Sequence, residues 1–156
     1  MTETKKKDFK DLLFEVILPK IELMAIIVIA ISILFKLLHL QGTNEMFMIS
    51  LSIYAIVCYL GSFRKYAVEG MVSQLIIKLG GIASAVLCIG TLFLVLGLPG
   101  GTEMFTIGAP AFILAFILTL FKNTNSDSEE FKKILIQHLK TFVIVAVIYL
   151  ITFYLN

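Results

Sequence analysis

The sequence predicts an all-α integral membrane bundle, and three observations carry that prediction. Hydrophobic residues make up 59% of the 156-residue chain, charged residues only 15%, and the mean hydropathy is +0.98. A soluble domain averages about half apolar and about a quarter charged, so this composition belongs in lipid. Apolar runs of the roughly 20 residues that cross a bilayer core recur at 20–40, 45–63, 73–98, 103–121 and 136–155. The lysines and arginines between these runs gather in alternate connections, as they do in membrane proteins of fixed orientation.

Taken in order, the chain opens with KKKDFKDLLFEVIL. Phe9, Leu12, Leu13, Val16 and Ile17 form one helical stripe, opposed by Asp8, Lys10, Asp11 and Glu15. Residues 1–19 therefore read as an amphipathic helix on the cytoplasmic membrane surface, broken from the first span by Pro19. An ordinary polar tail is the alternative. A cleaved signal peptide is not expected, because no small-x-small site follows the apolar run. Span one carries Lys20 and Glu22 near its start, within reach of the headgroups. Span three is long enough to tilt, with Lys78 able to snorkel to the interface. In span five the uninterrupted apolar part is TFVIVAVIYLITFYL, so a full crossing has to include IQHLK. The polar stretch 122–135 before it reads as a cytoplasmic linker in which Ser126–Glu129 caps the next helix; docking of a partner there is the alternative. Lys5, Lys6, Lys7 and Lys10 precede span one, Arg64 and Lys65 follow span two, and Lys122, Lys132 and Lys133 separate spans four and five. The loops QGTN and PGGT carry no cation. The N-terminus is thus expected in the cytoplasm and the C-terminus outside.

A shift of 58 residues aligns 31–63 with 89–121 without a gap. Gly42 meets Gly100, and the triplet Glu45-Met46-Phe47 meets Glu103-Met104-Phe105. The domain 20–121 thus reads as two parallel hairpin repeats, each entering from the same side. Gly42, Gly100 and Gly101 are the expected turn residues, since a tight link between antiparallel helices needs left-handed backbone. The threonine after the glycine is the expected N-cap, and Glu45 and Glu103 the first-turn carboxylates of the returning helices.

The residues Phe35, Lys36, His39, Gly42, Met46, Ile49, Ala55 and Phe63 resemble the N-terminal hairpin of the L subunit (GldL/PorL) of gliding-motility and type IX secretion motors. The resemblance covers about 35 residues, more faintly echoed in the second repeat. It implies a shared hairpin and an inner-membrane location. In that family a glutamate midway along the second helix is thought to handle a proton; here that position is Tyr54, and Phe112 in the second repeat. The family's long cytoplasmic region has no counterpart in this sequence either. The resemblance therefore does not imply a proton channel formed by this chain alone.

For function, the net charge of +2 and the lack of a basic, aromatic-interleaved patch speak against nucleic acid. Cys58 and Cys88 lie in apolar runs and read as small hydrophobes, and no cofactor, metal or catalytic motif is evident. His138, beside Lys133 and Lys140, reads as an interfacial residue. Gly80, Gly81, Ser84 and Ala85 give span three a small-residue packing face. The function expected is a non-enzymatic accessory or scaffold subunit of an envelope complex, contacting lipid and other integral membrane proteins; a small transporter or channel is the alternative. One polar cluster stands out at the outer end: Lys36, His39, Glu45 and Glu103. Either Lys36 snorkels to water, or it pairs with one or both carboxylates.

Overall fold

The computed structural model of the chain describes residues 9–64, 66, 70–125 and 129–155. Among them every regular element is helical: α1 (Phe9–Leu12), α2 (Leu18–Leu37), α3 (Thr43–Gly61), α4 (Met71–Leu96), α5 (Gly101–Asn125) and α6 (Glu129–Leu155), with a π-helical turn at Leu13–Ile17. Five of these segments are long and apolar enough to cross a membrane. The expected five-span bundle is what the chain forms.

α4 is the hub. Its span is 56% buried, against 22% for that of α2, because α3, α5 and α6 all pack on it while α2 leans mainly on α3. Small residues permit this. A Cβ on Gly90 would lie 2.9 Å from the Phe105 backbone nitrogen, and one on Gly108 would lie 3.1 Å from the Leu87 Cα. α4 and α5 therefore meet backbone to backbone, running antiparallel. α6 returns parallel to α4, with Gly80 against His138 at one level and Thr91 beside Tyr149 at another.

The two hairpin turns are alike in detail. Gly42 and Gly100 are left-handed, with φ of 84° and 86°. Three residues earlier, His39 and Gly97 are left-handed as well, with φ of 51° and 64°. Leu40 donates to the Phe35 carbonyl and Leu98 to that of Phe93, the same helix-ending bond at equivalent positions. Burial follows the same register. Leu18, Ala25, Ile29 and Ser32 of α2 are buried, and so are their equivalents Ile76, Ala83, Leu87 and Gly90 of α4. Adding 58 again reaches Ile134, Thr141, Val145 and Ile148 of α6, all buried too.

Three local expectations change. The chain stays helical through Pro19 instead of breaking there. The wide turn just before it lets the Leu18 amide donate to the Leu13 carbonyl, which opens the ladder where the proline ring would otherwise clash. Residues 1–8 of the expected interfacial helix lie outside the described residues. Thr43 is not an N-cap: Gly42 occupies that position, and the Thr43 hydroxyl donates to the Leu40 carbonyl at 2.7 Å. The expected linker 122–135 is mostly helix, since α5 runs to Asn125 and α6 starts at Glu129. Phe131 and Ile134 are buried, and that burial draws the stretch into the bundle. The expected cap at Ser126–Ser128 lies outside the described residues.

Candidate functional site

The four polar residues near the glycine turns are only partly gathered. Lys36, His39 and Glu45 line one recess of about 390 Å³ beneath the first turn. Glu103 stands apart from it, in the first turn of α5. Among the described residues Lys36 forms no ion pair, either with Glu45 or with Glu103. Ion pairs between described residues include Lys133–Glu130 at 3.1 Å and Lys140–Glu22 at 3.3 Å, the second joining α6 to α2. Gly42 and Gly100 are turn residues as expected, whereas Gly101 begins α5 and fits against the Leu94 backbone. Gly80, Gly81, Ser84 and Ala85 all face neighbouring helices. A Cβ on Gly81 would lie 2.5 Å from that of Ser62, and the Ser84 hydroxyl donates to the Gly80 carbonyl. The small-residue face is consumed inside the molecule.

The chemistry that the structure gathers is elsewhere, where α3, α4, α5 and α6 meet. His138, expected at the interface, is 3% exposed. Its imidazole fits over Gly80, where a Cβ would overlap Nε2 and lie 2.6 Å from Cε1. The Phe112 ring meets it edge-on with centroids 5.6 Å apart, and Phe116 lies 6.5 Å away. Nδ1 is buried without a hydrogen-bond partner among the described residues. One turn further along α6, the Tyr54 hydroxyl meets Thr141 Oγ1 at 3.0 Å. Thr141 gives its single hydrogen to the Gln137 carbonyl, so the Tyr54 phenol is the donor.

Tyr54 and Phe112, equivalent positions of the two hairpins, therefore both face α6, on Thr141 and on His138. Beside His138 is a recess of about 10 Å³ lined also by Cys58, Ser62, Ser84 and Gln137, the space that one water centre needs. Four other buried hydroxyls turn inward on their own helices: Ser32, Ser50, Thr91 and Thr119 each donate to the carbonyl four residues back. That is how an isolated hydroxyl is satisfied in an apolar helix. Cys58 and Cys88 are buried free thiols.

His138 was missed because its neighbours Lys133 and Lys140 suggest an interface. The signal was in the spacing: Phe131, Ile134, His138, Thr141, Val145 and Ile148 recur at alternating threes and fours, the seam of a packed helix. No family model matches the chain, and no curated protein or solved structure matches it. The resemblance to the motor hairpin rests on its residues alone.

Proposed function

We propose that this protein is a non-enzymatic subunit of a membrane complex in the cell envelope, oriented with its N-terminus in the cytoplasm. The observation that carries this reading is the closed interior. Four of five crossing helices meet through glycines and small side chains. Most of the buried hydroxyls bond within their own helix, and the space beside His138 is only about 10 Å³. Such a body is built to hold its shape in lipid, and its close packing serves contact better than passage. With the small-residue face of α4 already spent, a partner would meet one of the exposed apolar sides, and we take the outer side of α2, where Leu23, Met24, Ile27 and Leu34 are exposed and which packs mainly on α3. The similarity of the two turns and of the burial register supports a duplicated hairpin, and the motor-hairpin resemblance supports an envelope setting.

Affinity purification in mild detergent, with photocrosslinkers at Met24 and Ile27, tests the reading. A stoichiometric membrane partner crosslinked through α2 is expected. A lone, monodisperse protein giving no crosslink would sink it. The transport alternative keeps one observation in its favour, the unpartnered Nδ1 of His138 beside a one-water cavity. Proton or cation flux in liposomes that His138→Ala abolishes would establish it over the subunit reading.

A further inference from the structure

At the basic end of the bundle, Ser62–Arg64 and Tyr66 after α3 and the first turns of α4 line a recess of about 400 Å³. Arg64 and Lys78 stand on its rim, Gln74 and Tyr66 supply polar wall, and Phe63 and Ile77 supply apolar wall. Among the described residues no carboxylate lines it. Neither cation forms an ion pair among the described residues, although two carboxylates act on Tyr66 from nearby, Glu130 and Glu22. Each of those is already held by its own lysine, Glu130 by Lys133 and Glu22 by Lys140. Among the described residues, no carboxylate thus pairs with Arg64 or Lys78.

We propose that this recess binds an anionic phosphate group and that the headgroup of a membrane phospholipid supplies it. The guanidinium of Arg64 lies 5.7 Å from the centre of the Tyr66 ring, which holds it in place at little entropic cost. A guanidinium and an ammonium across one recess match the charge of a phosphodiester, the first by paired hydrogen bonds and the second as a point charge. Phe63 and Ile77 sit where the glycerol and upper acyl chain of that lipid would run. The level also fits: the recess opens at the end of the apolar spans, where basic pockets between crossing helices meet headgroups. Burial pushes the Tyr66 phenol up from its usual range, so at neutral pH it remains a hydrogen-bond donor.

The test measures lipid binding to the intact protein in neutral detergent, by native mass spectrometry and by thermal unfolding. Phosphatidylglycerol is compared with phosphatidylcholine, glycerol 3-phosphate and inorganic phosphate. Phosphatidylglycerol is expected to bind and to raise the melting temperature, with phosphatidylcholine weaker by about tenfold or more. Arg64→Gln and Lys78→Gln should each weaken the phosphatidylglycerol site by about tenfold, the loss expected for one charge-assisted bond. Lys36→Gln, at the opposite end, should leave it unchanged. If the two lipids bind equally, or if the double variant retains the preference, the site is not there. If glycerol 3-phosphate or inorganic phosphate protects as well as the lipid does, the phosphate site stands and its lipid source is overturned. Should Arg64→Gln fail to fold, the wild-type preference can be titrated with salt, and a preference unaffected by ionic strength would refute an electrostatic site.

Discussion

His138 is the residue on which the interior turns. Its ring takes the place a side chain at position 80 would fill, so Gly80 and His138 are one fitted pair across α4 and α6. Gly80→Ala should destabilise the protein by about 1–3 kcal/mol, the usual cost of an extra methyl in a filled core. In a His138→Ala background the same change should cost little, since the obstructing ring is gone. Thermal unfolding of both single variants and the double variant checks this, and additive effects would mean that the pair is not coupled. Tyr54 offers a second test. Its phenol donates to Thr141, and Tyr54→Phe should cost about 0.6–1.7 kcal/mol, the range for hydrogen bonds between membrane helices. An unchanged melting temperature would show that the bond contributes nothing. The equivalent residue Phe112 carries no hydroxyl, so this polar contact is made by one hairpin only.

At the scale of the element, the turns are the informative part. Both hairpins need left-handed backbone at the same two places. The second hairpin has glycine at both, Gly97 and Gly100, while the first has His39 and Gly42. Left-handed geometry costs a residue with a Cβ about 1–2 kcal/mol, and glycine gives back about 0.5–1 kcal/mol in lost chain freedom. His39→Gly should therefore stabilise the protein by about 0.5–1 kcal/mol, and Gly97→His should destabilise it by a similar amount. Chemical or thermal denaturation in detergent reads both, and a loss of stability in His39→Gly would give His39 a role that outweighs its strain. The spans were legible in the sequence as runs of apolar residues, and the turns as a repeated glycine. The burial of the first turns of α6 was not. Polarity from Lys122 to Lys133 reads as a linker, yet the helix begins at Glu129 because Phe131 and Ile134 have a core to enter. That core is made by other helices. The path through Pro19 was hidden for a similar reason, since proline marks a break in an ordinary ladder and the wide turn ahead of it removes the obstacle.

For the whole molecule, α2 to α5 alternate in direction, which gathers the two glycine turns at one end and the basic connections at the other. Cysteine labelling in intact cells, in a Cys58→Ala and Cys88→Ala background, should reach residues 41–44 and 99–102 from outside. Residues 64–72 and 122–133 should be reached only after the membrane is opened. Labelling of the C-terminal end of α6 from the cytoplasm would refute the crossing of span five. Composition and periodicity determined, without any structure, that this chain is a membrane bundle of five helices, where its tight turns lie and which end is basic. Those properties depend on water, lipid and local backbone geometry, which act on each segment separately. Only the tertiary structure decided that α4 is the hub, that Lys36 stands free of Glu45 and Glu103, and that His138 lies buried. In lipid every crossing helix is apolar on all sides, so hydrophobicity does not mark the face that meets a neighbour. Shape does, through a glycine on one helix opposite a ring on another, and that complementarity exists only once both helices are in place.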